Sequence, residues 1–533
     1  MSGMKIMKST DNRFIKQAGI LAVAGILCRI IGILYRSPLT NIIGDEGNGY
    51  YSSAYNIYTI ILLVSSYSIP SAISKIISQR LALKEYRNAH RIFRCSILYV
   101  VIAGIVGSLF AFFCAGFLVG SNAVPVLRIF APTIFLSGLL GVLRGYFQAH
   151  GSMVQTSVSQ ILEQILNAVI SILAAYLLIQ SFTGADMTQK AIRGASGSAL
   201  GTGAGVLTAL IFVFAVYMFN RRTIVRRIER DTSHKTESYR EISKIILLMV
   251  TPVILSTFIY NFSTSLNQTV YSKILERTTA LTDAQIATSY GIFSGKAIVI
   301  TNIPIAIATA MSSAMIPSIS GTYALGDSEQ TNAKISNAIR ITMLIAIPAA
   351  VGMTVLARPI VQLLFPQKAS LDLAASLLRC LGVTVVLYSL STLTNAVLQA
   401  VGKVNLPVRN ASISLVIQTI VLILLLFFTD AGLYALVAAT IVYSLFMCIF
   451  NGISVRNFLD YRQEIGNTFL KPVLISIVMG GIAYVVYAGS ARLIHSNTIC
   501  LFLSIAAAAL FYFLMIIKLH LLNTADLGSN RIS

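Results

Sequence analysis

Apolar residues in this chain come in runs of about 20, the length an α-helix needs to cross about 30 Å of hydrocarbon. The runs fall at 14–38, 49–79, 92–119, 124–147, 154–180, 194–219, 243–271, 287–318, 335–357, 373–399, 407–428, 432–455, 470–489 and 497–519. They predict an all-α polytopic membrane protein with about fourteen transmembrane helices. The second and eighth runs are long and interrupted, by Pro70 and by Pro304 and Pro317. In the first, Ala18, Ala22, Gly25, Arg29, Gly32 and Arg36 recur every three or four residues and so share one helix face. Each is very small or an arginine. A guanidinium at mid-bilayer depth costs about 3 kcal/mol on insertion scales unless it meets water or a partner. The stripe therefore predicts a polar cavity with room beside its two cations. The plainer alternative is that Arg29 pairs with a carboxylate on another helix.

Composition strengthens the membrane assignment. Of 533 residues 56% are hydrophobic and 11% charged, with mean hydropathy +0.79, against roughly 25% charged in soluble domains. The net charge of +21 does not point to nucleic acid, because no soluble domain is large enough to present a basic surface. Counted by loops, 27 Lys and Arg lie on one side and 8 on the other. That bias places both termini in the cytoplasm. Six cysteines lie singly without CxxC spacing, and five histidines are equally scattered, so neither disulfides nor a metal site is expected. The first apolar run is too long for a signal peptide, contains Arg29 and lacks a convincing cleavage site, so it reads as a retained helix.

The chain also repeats itself. Val126-Leu127-Arg128, Gln148-Ala149 and Gly151 align without gaps with Leu377-Leu378-Arg379, Gln399-Ala400 and Gly402, at a constant offset of 251. Ile69-Pro70-Ser71 echoes Ile316-Pro317-Ser318 at 247. An even number of spans per unit makes the repeats parallel. The expected division is an N-lobe of six helices (1–219), a basic cytoplasmic loop (220–242), a pseudosymmetric six-helix C-lobe (243–455), and two further helices with a cytoplasmic tail (456–533).

The run Leu143-Arg144-Gly145-Tyr146-Phe147-Gln148, then Met153 and Ser159-Gln160-Ile161-Leu162-Glu163-Gln164, resembles the YtgP/SpoVB branch of polysaccharide exporters. These belong to the multidrug/oligosaccharidyl-lipid/polysaccharide superfamily, which also holds the MurJ lipid II flippases. Cys28-Arg29-Ile30-Ile31-Gly32 with Arg36 is similar to the arginine-bearing first helix of MurJ proteins. The chain departs from the pattern at Ala149, Gln155 and Asn167, where glycine, proline and arginine are usual. It also has no counterpart of the arginine in the second MurJ helix. The resemblance implies a flippase of the bacterial inner membrane that moves a polyprenyl-diphosphate-linked sugar, most simply lipid II, by alternating access. The partners it implies are that substrate and membrane lipids; a monomer suffices. No nucleotide-binding motif is present, so the drive would be the membrane potential or a Na+ or H+ gradient, with no cofactor.

Such a ligand needs cations for its diphosphate. Arg29 and Arg36 lie about 10 Å apart along one helix face. Lys296 is the third candidate, unless it snorkels to the outer interface, and Arg144 lies near the cytoplasmic boundary, as a first contact or an anchor. Glu163 stands in the polar stripe Thr156, Gln160, Glu163, Asn167, Ser171, either as an ion-coupling group or as partner to Arg29 or Arg144. The seventh helix carries Thr257, Asn261, Thr264, Gln268 and Tyr271; Asn261 and Gln268 suit sugar hydroxyls and amides. Pro70 and Pro317 are candidate hinges or static kinks. Tyr51, Tyr55 and Tyr58 read as an interfacial belt, and Gly197, Gly201 and Gly205 as close helix packing. Export of another lipid-linked glycan stays open as an alternative, as does cation-coupled drug efflux, although efflux favours carboxylates over cavity cations. A membrane glycosyltransferase would have to use Asp45 and Glu46.

Overall fold

The computed structural model of the chain describes residues 2–63, 69–229, 231, 237–365, 367–519 and 521. Side chains at 2–22, 26, 33, 69–72, 82, 227, 247–261, 313, 314, 317, 318 and 324 lie outside the described residues, which include those of Asn261, Pro70 and Pro317. Among the described residues, regular structure is helical throughout. In chain order it comprises α1 (Ser2–Leu62), α2 (Ile69–Ala82), α3 (Tyr86–Phe113), α4 (Ala115–Leu118), α5 (Val124–Ala149), α6 (Val154–Gln180), α7 (Met187–Glu229), α8 (Tyr239–Thr278) and α9 (Asp283–Ile292). After a π-helical turn at Phe293–Ala297 come α10 (Ile298–Ala324), α11 (Ser328–Val355), α12 (Ala357–Leu364), α13 (Leu371–Ala400), α14 (Asn405–Phe428), α15 (Leu433–Leu459), α16 (Lys471–Leu493) and α17 (Asn497–Lys518). Twelve stretches of described residues are long and apolar enough to cross a membrane. The first two expected spans share one of the twelve, and the seventh falls on α8, many of whose side chains lie outside the description.

α1 is two arms, not one rod. Gly44 breaks it with φ 71° and ψ 176°, a conformation open to glycine because it lacks a Cβ. Asn48 Nδ2 donates to Thr40 Oγ1 at 2.8 Å, and the Arg36 guanidinium lies 5.5 Å from the Tyr51 ring centre. Fifteen residues of unbroken helix would span about 22 Å, so the chain doubles back at Gly44.

Two compact units divide at Gly291 and Ile292. In the first, α7 packs along α6 and α5, α3 lies on α5, and α1 touches α5, α6 and α7. The α6–α7 contact is backbone to backbone. A methyl at Gly197 or Gly201 would overlap the main chain at Ala175 or Ser171, and one at Gly205 would stand 2.5 Å from the Glu163 carbonyl oxygen. These glycines do what small-residue spacing does in membranes: they let helices approach. In the second unit α13 is central, packed by α10, α11 and α15, while α16 pairs with α17 and lies on α11.

α8 packs on α1, α2 and α3. Within the basic segment α7 stays helical through Arg221, Arg222 and Arg226 to Glu229. Beyond it the chain is fastened to the α2–α3 turn. Arg87 N donates to Asp231 Oδ2 at 2.6 Å, Arg91 Nη1 donates to the Glu237 carbonyl at 3.0 Å, and Arg80 pairs with Glu237. A capping box of Ser238 and Glu241 then starts α8.

Local backbone geometry repeats between the units. α5 and α13 end 251 residues apart, and both close on a left-handed glycine, Gly151 (φ 73°) and Gly402 (φ 78°). Each glycine N–H returns to Gln148 or Gln399, and the next residue's N–H to Phe147 or Leu398, which is the Schellman cap. A second matched pair of such caps joins α2 to α3 at Lys84 (φ 60°) and α10 to α11 at Gly326 (φ 73°), 242 residues apart. Pro70 precedes the turn residue Lys84 by 14 positions and Pro317 precedes Gly326 by 9; the side chains of these two candidate hinges lie outside the described residues.

Candidate functional site

The first unit brings the two expected polar stripes to one place. From α5, Arg144 Nη2 meets Glu163 Oε2 of α6 at 2.7 Å, and its Nε donates to Ser159 Oγ at 2.8 Å. The pair is mostly buried, with side chains 15% and 30% exposed. Cys28 of α1 lies within electrostatic reach of both. One turn on, a methyl at Gly32 would stand 3.2 Å from Gln164 Nε2 of α6. Of the alternatives for Glu163, pairing with Arg144 is the one the geometry realises.

Arg29 is exposed, and no ion pair to it occurs among the described residues. A methyl at Gly25, on the same stripe, would meet nothing within 4 Å. Among the described residues nothing closes the Arg29 face, where a dry pairing would have done so. Arg36 is half-buried over Tyr51. From Tyr51 a polar chain runs into the lobe: its hydroxyl lies 3.4 Å from Thr202 Oγ1, which donates to Asn167 Oδ1 at 3.3 Å, and Ser171 Oγ donates to the same oxygen at 2.9 Å. Asn167 and Ser171 thus serve the α6–α7 contact, so only part of that stripe faces open space. Tyr51, Tyr55 and Tyr58 do not form an interfacial belt. Tyr51 and Tyr58 are buried and, with Tyr55, pack around Phe130.

Gln268 of α8 is buried and accepts a hydrogen bond from Asn56 Nδ2 at 2.5 Å. It also lines a cavity of about 590 Å³ with Asn122, Lys273, Glu276, Asp283 and Tyr290. Asn56 escaped the sequence reading. It donates as well to Tyr290 OH at 3.1 Å, and its carbonyl accepts from Ser265 Oγ at 3.2 Å. The signal was available, since Asn48, Ser52 and Asn56 recur every four residues across the start of the second apolar run. Glu46 is engaged by the Tyr50 hydroxyl at 2.9 Å.

Lys296 sits elsewhere and differently from either expectation. In the second unit's π-helical turn it is 1% exposed, and its ammonium donates to Gln367 Oε1 at 2.5 Å and Ser370 Oγ at 2.6 Å. It neither snorkels nor faces an open cleft. It pins the segment that leads into α13.

The sequence and the helical fold have known counterparts. The chain is 21% identical over 427 residues to lipid II flippase MurJ of Bacillus subtilis (strain 168), with 77% of each chain covered. It is 23% identical over 523 residues to stage V sporulation protein B of the same organism, covering 96% of this chain and 97% of that one. Its fold matches a solved lipid II flippase MurJ in an inward closed conformation, with TM-score 0.69 and 15% identity over 94% of this chain and 99% of that one. It also matches an outward-facing multidrug resistance transporter of the MATE family and MOP superfamily, with TM-score 0.57 and 17% identity over 84% and 96%. The family model described as lipid II flippase MurJ matches residues 84–506, and this chain belongs to that family.

Proposed function

We propose that the chain moves an undecaprenyl-diphosphate-linked cell-wall precursor, lipid II, across the bacterial cytoplasmic membrane by alternating access, with both termini in the cytoplasm. Family membership supports a flippase of a lipid-linked precursor. The observation that carries the residue-level reading is the open Arg29 face, with Gly25 leaving space beside it. A diphosphate crossing a slab of hydrocarbon must keep its charge compensated throughout. A guanidinium fork offers two parallel donors in the geometry of phosphate oxygens, and no ion pair to Arg29 occurs among the described residues. Arg36 adds a second cation, held in place by Tyr51. Gln268 and Asn261 supply hydrogen bonds to the sugar and amide groups. Arg144 belongs to the first encounter at the cytoplasmic side, and Glu163 couples the cycle to a Na+ or H+ gradient by exchanging its arginine for the ion. Lys296 is withdrawn from the substrate contacts, because its ammonium is already shared between two oxygens.

The test is flipping of fluorescent or radiolabelled lipid II in proteoliposomes. Losing one charge-assisted contact to the diphosphate should slow flipping at least about tenfold in Arg29→Ala, with expression and melting temperature unchanged. Wild-type flipping by that variant would refute the assignment. A second reading, transport of a different lipid-linked glycan, is favoured by the nearly end-to-end match to stage V sporulation protein B. Competition between lipid II and other undecaprenyl-linked glycans in the same assay separates the two.

A further inference from the structure

At the end of the second unit where α12 meets the α16–α17 connection lies a cavity of about 520 Å³ that the transport reading does not use. Its walls are fixed from behind. The buried Lys296 holds Gln367 and Ser370, with the Phe365 ring 6.0 Å from its ammonium. Across the cavity, Asn497 Nδ2 donates to the Pro359 carbonyl at 3.1 Å, and its Oδ1 accepts from the Tyr487 hydroxyl at 2.7 Å, which ties α12 to the start of α17. Between these anchors Arg358, Gln362, Lys368 and Thr498 line the space. Arg358 lies 3.2 Å from Asp372, while no ion pair to Lys368 occurs among the described residues. The lining therefore carries two cations and one acid. Leu371 and Asp372, the first residues of the 30-residue α13, also line the cavity, and a helix N-terminus adds a partial positive charge with backbone N–H donors. In sequence beside the lining residues Asn497 and Thr498 stand Leu493, Ile499 and Phe502, all strongly exposed, apolar side chains suited to acyl chains.

We propose that this cavity binds the phosphate of a membrane lipid, with the lipid's chains lying along Leu493, Ile499 and Phe502. A free anion would need only the cations. The apolar border beside them selects a phosphate that carries a hydrocarbon tail, and a net positive lining favours an anionic phospholipid over a zwitterionic one. The site is independent of what the protein transports.

Native mass spectrometry of the full-length protein in detergent tests this directly, with phosphatidylglycerol, phosphatidylcholine, undecaprenyl phosphate and inorganic phosphate offered in turn. Phosphatidylglycerol should be retained about tenfold better by the wild type than by Arg358→Gln/Lys368→Gln, while Arg277→Gln, an exposed charge elsewhere, retains it fully. Lys368→Glu alone, at an exposed position, should show the same loss if the double variant folds poorly. Retention of undecaprenyl phosphate with the same dependence on these residues would also support a lipid-phosphate site and name its source as the polyprenyl lipid. Equal retention of phosphatidylglycerol by wild type and variants, equal retention of phosphatidylcholine, or binding of inorganic phosphate that displaces the lipid would overturn the proposal.

Discussion

Arg144 and Glu163 carry opposite charges into an apolar lobe, and neither side chain is fully open to water. Removing one partner strands the other, which costs roughly 3–5 kcal/mol for fully buried pairs. With 15% and 30% of these side chains exposed, solvent takes over part of that, and about 1–3 kcal/mol remains. Glu163→Gln and Arg144→Gln are each expected to destabilise the purified protein by about that much, and the double variant by clearly less than both effects added. A double-mutant cycle with no coupling would mean that the 2.7 Å contact contributes nothing. The same Glu163→Gln protein should shift the ion or pH dependence of flipping, and an unaltered dependence would remove Glu163 from coupling. The sequence marked Glu163, Arg144 and Arg29 as charges out of place. It could not tell which of the three pair with one another, because pairing depends on how α5 and α6 stand side by side.

Glycines show the same division at the scale of the element. Gly201 and Gly25 both sit in small-residue stripes, yet a methyl on the first collides with the backbone at Ser171 and one on the second meets open space. Gly201→Ala should therefore cost about 1–3 kcal/mol through overpacking. Gly25→Ala should be neutral or stabilise its helix by up to about 1 kcal/mol. Thermal melting of the two variants side by side checks this, and equal shifts would sink the distinction. Gly25→Cys should react with a water-soluble thiol reagent, whereas Gly201→Cys, if it folds, should not. The spacing of Gly197, Gly201 and Gly205 correctly announced close packing. Gly44, where α1 doubles back, was not singled out by the sequence, since one left-handed residue leaves no periodic trace. The caps at Gly151 and Gly402 were legible as a repeat because the residues around them align without gaps.

For the whole molecule, the proposed function predicts that this chain restores growth to a bacterial strain depleted of its lipid II flippase, and that the Arg29→Ala variant, expressed equally, does not. Failure of the wild-type chain to rescue, alongside flipping of another undecaprenyl-linked glycan, would shift the assignment to the second reading. The cation bias of 27 to 8 further predicts that a fluorescent protein fused after Ser533 lights up, because it would fold in the cytoplasm.

What the chain's own order of residues determined was the class: helices long enough for a bilayer, a motif repeated 251 residues on and arginines that hydrocarbon does not tolerate unassisted. These are properties of neighbours along the chain, where 3.6-residue periodicity and transfer free energy act locally. Tertiary structure alone decided which polar groups are consumed by packing and which stay available. Lys296 and Arg29 look alike as isolated cations in apolar runs, yet one is enclosed by Gln367 and Ser370 and the other faces open space. The difference arises because the partners lie 71 and 74 residues away, a separation that no periodicity records.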